Sequence, residues 1–143
     1  MSENLPLIIQ TIVYRKSSND VFEVLLLKRT EERGGFWNAV NGTLEIGESA
    51  IECRSRELFE EAGIQEVISW SDEIHRFSFT FHDSVFVVVV FAAEVNRDKQ
   101  ITINEEHTEY IWVNFDEAIT MLNFDDDKKG VQKCQAMLAV DKV

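Results

Sequence analysis

The sequence predicts an α/β sandwich built on a mixed central β-sheet. Three observations predict it. Runs rich in Val, Ile, Leu and Phe recur before residue 30 and again between residues 74 and 113, as strands do. One long helix-forming segment, Glu48 to Ala62, lies between glycines at 47 and 63. Helical patterns then follow the last strand-like run, so strands and helices share one chain without a linker or repeat.

Taken in order, Leu7 to Tyr14 and Val21 to Leu27 read as two strands, and polar Lys16 to Asp20 as the turn of a hairpin. Phe36 to Val40 reads as a short strand after the Gly34-Gly35 break, and Asn41 to Gly47 as a glycine-punctuated loop. The helix Glu48 to Ala62 ends at Gly63, a C-cap. Ile74 to Phe81 alternates, with Phe77, Phe79 and Phe81 on one side and expected in the core. His82-Asp83-Ser84 turns the chain into the nearly continuous apolar strand Val85 to Glu94. Glu109 to Val113 alternates again. Phe115 to Leu122 and Val131 to Val140 read as helices, with Asp125-Asp126-Asp127 as a solvated turn between them. Trp70 and Cys53 are expected to pack, and His75 and His82 show no metal-ligand spacing.

The 143 residues suit one domain, residues 1–143, with a real core: 45% are apolar and ten are Phe. A formal charge of −12 offers no basic footprint, which argues against long nucleic acid as a partner. Cys53 and Cys134 follow no redox or metal spacing and are expected to stay reduced. Met1 to Asn4 lacks the basic, apolar start of a signal peptide, and the longest apolar run, Val85 to Ala93, is too short to span a membrane. The expectation is a soluble, cytoplasmic protein with no membrane partner.

On a helical wheel, Glu57, Glu60 and Glu61 fall within an arc of roughly 100°, opposite Ile51, Ser55, Leu58 and Ala62. Such a face either is solvated or holds a hard divalent cation, which takes oxygen ligands. The pattern alone fits both.

The neighbouring residues go further. Gly42, Glu48 and the run Arg56-Glu57-Leu58-Phe59-Glu60-Glu61-Ala62-Gly63-Ile64 match every specified position of G-x5-E-x7-R-E-U-x-E-E-x-G-U, where U is aliphatic. At average residue usage the chance of this is on the order of one in a billion per start position. The segment resembles the signature of the Nudix hydrolases. That resemblance implies a Nudix-type α/β/α sandwich and hydrolysis of a diphosphate linkage with Mg²⁺, or Mn²⁺, as cofactor. It implies Glu57, Glu60 and Glu61 as metal-binding carboxylates, Arg56 as their brace and the Asn41 carbonyl as a further ligand. Glu48 would support the loop and helix start or touch a metal-bound water, Gly42 would allow a tight turn and Gly63 would end the helix. Glu105 to Trp112 is similar to the E-H-x-x-Y-x-W stretch of many Nudix enzymes. There Glu106 would be an extra metal ligand or the general base, with Glu105 as the fallback.

Arg29 and Trp37 stand where such enzymes place phosphate and ring contacts, against the plainer readings of a solvated strand end and a core aromatic. The stretch from Phe36 to Glu45 resembles dihydroneopterin triphosphate and dATP-type pyrophosphohydrolases more than enzymes that cleanse oxidised guanine nucleotides. The first expectation is therefore a nucleoside or pterin triphosphate cleaved to monophosphate and pyrophosphate. Dinucleoside polyphosphates come next, and ADP-ribose, nucleotide sugars, oxidised dGTP, a non-catalytic nucleotide-binding module and an isomerase stay open. A homodimer is compatible with the resemblance.

Overall fold

Alternation along the first strand sets the architecture, because it sends successive apolar side chains to opposite faces. The computed structural model describes residues 4–17 and 21–140. Residues 18–20 of the expected first turn and Met1 to Glu3 lie outside them. The strands are β1 (Asn4–Lys16), β2 (Phe22–Arg29), β3 (Trp37–Asn38), β4 (Val40–Glu45), β5 (Ser69–Trp70), β6 (His75–Phe81), β7 (Ser84–Glu94) and β8 (His107–Val113). They form one mixed sheet in which β1 pairs antiparallel with β2 and β4 and parallel with β7. The helices are α1 (Ala50–Ala62), α2 (Phe115–Met121) and α3 (Asp125–Val140).

Ile12, Leu26 and Val90 face one side and are covered by Phe115 and Ala118 of α2 and Val131 and Cys134 of α3. Val13, Leu25, Leu27 and Val40 face the other and are covered by Leu58 and Ala62 of α1. The result is the expected α/β/α sandwich. Among the described residues, no helix is long and apolar enough to cross a membrane.

The structure corrects several boundaries. Residues 41–45 are a strand rather than a loop, paired with β1 through Asn41↔Gln10, Gly42↔Ile9 and Thr43↔Ile8. Helix α1 begins after Ser49, not at Glu48. The Ser49 hydroxyl accepts from the Glu52 N–H, and Glu52 accepts from the Ser49 N–H, a reciprocal cap. A short 3-10 helix, Glu31–Arg33, and strand β5 have no counterpart in the sequence reading. Strand β8 begins at His107, two residues early.

Asp125 to Asp127 are not a free turn but the first turn of α3, where acidic groups suit the positive helix end. Asp127 is half-buried and accepts from Gln10 Nε2 at 3.2 Å, and burial raises its pKa. Of the three phenylalanines on β6, only Phe77 packs on the core; Phe79 and Phe81 are 41% and 59% exposed.

Candidate active site

Helix α1 packs across β4, and this crossing brings its acidic face against the strand. Gly42 is the point of closest approach. Its backbone is not left-handed, so a tight turn does not explain it. A Cβ there would overlap the Glu57 side chain instead. Glycine makes room for a carboxylate.

Arg56 organises the acidic residues around it. Its Nε and Nη2 donate to the two oxygens of Glu48 at 2.6 and 2.9 Å, a fork against a carboxylate. Its Nη1 reaches Glu57 at 2.5 Å and Glu60 at 3.2 Å, and its Nη2 donates to the Thr43 carbonyl at 3.2 Å. Glu48 also accepts from the Glu45 N–H at 3.1 Å. The Arg56 hydrogen bonds hold the Glu48 carboxyl down at about 2.

The next carboxylates are shifted the other way. Glu57 and Glu61 are 9% and 5% exposed. Burial raises the pKa of Glu57. Burial pushes Glu61 up to about 9, helped by its hydrogen bond to Glu57 and the negative charges of Glu57 and Glu106. The backbone of Asn41 also bonds to the Glu61 carboxyl. Asn41 is itself fixed from behind, its Oδ1 accepting from buried Gln10 at 3.0 Å.

These groups open on a cavity of about 430 Å³ lined by Arg29, Asn41, Arg56, Glu57, Glu60, Glu61 and Glu106, together with Ile8, Arg33, Gly42, Thr43, Glu45 and His107. The structure thus places Arg29, Asn41, Arg56, Glu57, Glu60, Glu61 and Glu106 here, but not the fallback base Glu105, and not Trp37. That side chain is half-buried on β3, packs against the α2–α3 core cluster and is not among the lining residues. Arg33 and His107 were not singled out by the sequence reading. His107 could have been found in the E-H-x-x-Y-x-W stretch; its Nε2 lies 4.0 Å from Glu61 Oε1, and burial lowers its pKa, so the ring is neutral near pH 7. Arg33 carries no such sequence signal.

As placed, Arg56 draws Glu57 and Glu60 while Arg33 draws Glu106. Among the described residues no three acidic, histidine or cysteine side chains converge on one ion-sized point. The donor chemistry nonetheless fits a hard divalent ion. Two buried carboxyls are in mutual contact, the Arg56 cation beside Glu57 is shared with Glu48 and Glu60, and every candidate donor is oxygen.

Residues 9–133 match the NUDIX domain family. The chain belongs to the Nudix hydrolase family. It is 30% identical over 121 residues to the nucleoside triphosphatase NudI of Escherichia coli, covering 77% of this chain and 85% of that one. It is 33% identical over 117 residues to an octanoyltransferase of Myxococcus xanthus, where it covers 79% of this chain but spans only 32% of that protein's length. In fold it matches a Nudix hydrolase structure from Listeria monocytogenes with a TM-score of 0.83 and 26% identity, covering 96% and 97% of the two chains.

The buried acids of this Nudix domain give a pH prediction. Glu61 binds its proton more tightly folded, near 9, than at its ordinary 4.5. Its contribution to stability is therefore complete below about 4.5 and lost as pH rises toward 9. Without divalent ions the melting temperature is expected to fall between about pH 6 and pH 9. Added Mg²⁺ or Mn²⁺ should restore more at the upper end. Differential scanning fluorimetry reads both; a pH-independent melting temperature would refute the buried acid.

Proposed function

We propose that this Nudix domain hydrolyses a nucleoside or pterin triphosphate to the monophosphate and pyrophosphate with the help of Mg²⁺ or Mn²⁺. One observation carries the reading: carboxylates 57, 60 and 61 of α1 share a single cavity with Arg29 from β2 and Glu106 from the turn just before β8. Glu57, Glu60, Glu61 and the Asn41 backbone would hold the divalent ion. When bound, such an ion supplies positive charge against the diphosphate oxygens and acidifies water.

The chain's own groups do the rest. Arg56 fixes Glu57 and Glu60 in register with the strand behind them. Arg29 takes a phosphate. Glu106 accepts a proton from the attacking water as its oxygen bonds to phosphorus, the bridging P–O bond breaks, and pyrophosphate leaves with the bond's electrons. Fixed charges that need not reorganise can contribute several kcal/mol to such a step. The setting we infer is cytoplasmic, where buried, reduced Cys53 and Cys134 are ordinary.

The likeness to NudI supports a triphosphate substrate. A second reading, dinucleoside polyphosphates, is favoured by 28% identity over 121 residues to the rat bis(5'-nucleosyl)-tetraphosphatase, covering 82% of each chain. A panel of dATP, the other nucleoside triphosphates, dihydroneopterin triphosphate, diadenosine tetraphosphate and ADP-ribose, with Mg²⁺ or Mn²⁺ and products read by mass, decides between them. Monophosphate plus pyrophosphate from a triphosphate is the expected result. Faster cleavage of the dinucleotide would favour the second reading, and no turnover of any compound would overturn both.

A further inference from the structure

We propose that Arg33 is a phosphate ligand of this site, and that the substrate's phosphates take it by displacing Glu106. The proposal rests on the hydrolase reading above and adds a residue and a sequence of contacts to it. Three arginines line the cavity. Arg56 is committed to Glu48, Glu57 and Glu60. Arg29 and Arg33 are therefore the cationic side chains of the cavity wall that a polyphosphate can engage.

Arg33 is positioned for this by a fixed backbone. Its N–H donates to the Thr30 carbonyl at 2.9 Å, and its own carbonyl accepts from Arg29 Nε at 2.9 Å. Gly34, at φ 107°, closes the turn with its N–H on Glu31, a conformation that side-chain-bearing residues rarely adopt. The turn is also stitched to the segment before β8, because the Thr30 N–H donates to the Glu106 carbonyl at 3.2 Å. The guanidinium then meets Glu106 Oε1 at 3.0 Å, while Glu106 Oε2 accepts from Asn104 at 3.4 Å.

This ion pair is easily exchanged. Its side chains are 49% and 34% exposed, and exposed pairs of this kind contribute little. A triphosphate offers several charges and oxygens spaced for a guanidinium fork. Seating it on Arg33 releases Oε1 of Glu106 into the same cavity, free to accept the water's proton. The general base becomes available once a phosphate chain is in place.

The test is Arg33→Gln in the full chain, with Arg33→Lys beside it and melting temperatures to confirm folding. Steady-state kinetics with dATP and Mg²⁺ are run in parallel with calorimetric titration of inorganic triphosphate. For Arg33→Gln, KM is expected to rise about tenfold and triphosphate affinity to fall about tenfold, with kcat within about threefold because Glu106 is then released already. Arg33→Lys should fall between. A KM and a triphosphate affinity both unchanged, or a collapsed kcat at unchanged KM, would overturn the proposal. Failure of the hydrolase reading shows separately, as wild-type protein that leaves every nucleotide intact, and the titration then still measures the Arg33 contact.

Discussion

Glu61→Gln is expected to lower turnover by about three orders of magnitude while leaving the chain folded. The two halves of that outcome have one cause. Glu61 is 5% exposed and its carboxyl is pushed up to about 9, so near neutral pH the fold accommodates the neutral acid. Glutamine has nearly the shape of that acid and can take the same bond from the Asn41 backbone. The melting temperature without divalent ions should therefore match the wild type or exceed it, most clearly above pH 8. What glutamine cannot do is answer a dication with negative charge. Rates with Mg²⁺ measured beside melting curves check this; a variant retaining a tenth of the wild-type rate would remove Glu61 from the site.

The contrast shows how function strains this fold. Helix α1 buries Leu58 and Ala62 against the sheet at almost no exposure, as an amphipathic helix should. In the same turn it buries Glu57 and Glu61, which a purely structural helix would leave solvated. Carboxyls raised by burial favour protons over solvent and would exchange those protons for a cation readily as pH rises.

How much of this could be read from the sequence depends on whether the information is local. The helix and its carboxylate arc were legible because the 3.6-residue period and the signature spacing both lie within one segment. The sandwich was legible from the order of strands and helices. Strand β4 was not, because Asn41-Gly42 looks like a turn until α1 is laid across it and Gly42 is seen to clear space for Glu57. The alternation in β6 correctly put three phenylalanines on one face but could not say how far α3 extends over them, which is why Phe79 and Phe81 end exposed. Trp37 failed in the same way: its place in the chain suggested the cavity, and its pairing on β3 turned it to the core. Arg33 had no local signature at all, since its meaning comes from Glu106 on a distant segment.

Arg56→Met should damage both stability and turnover, in contrast to Glu61→Gln. The arginine contacts Glu48, Glu57 and Glu60 and the Thr43 carbonyl from a side chain only 25% exposed. Methionine keeps most of the apolar stem but leaves Glu48, 12% exposed, without the cation that holds its carboxyl at about 2. Removing one partner of this half-buried ion pair costs about 2 kcal/mol, between the exposed and the buried case, which for a chain of this size lowers the melting temperature by about 7 °C. The loss should shrink as pH falls from about 4.5 toward 2, because the wild type itself gives up the depressed Glu48 carboxylate over that interval. Turnover should drop by about a hundredfold, since Glu57 and Glu60 lose the anchor that sets their spacing from β4. Arg56→Lys tests whether charge alone suffices: an ammonium cannot span two oxygens of Glu48 while also reaching Glu57 and Thr43. Lysine should therefore recover part of the melting temperature and little of the rate. Full recovery of both would show that the guanidinium's fork does nothing here beyond its charge.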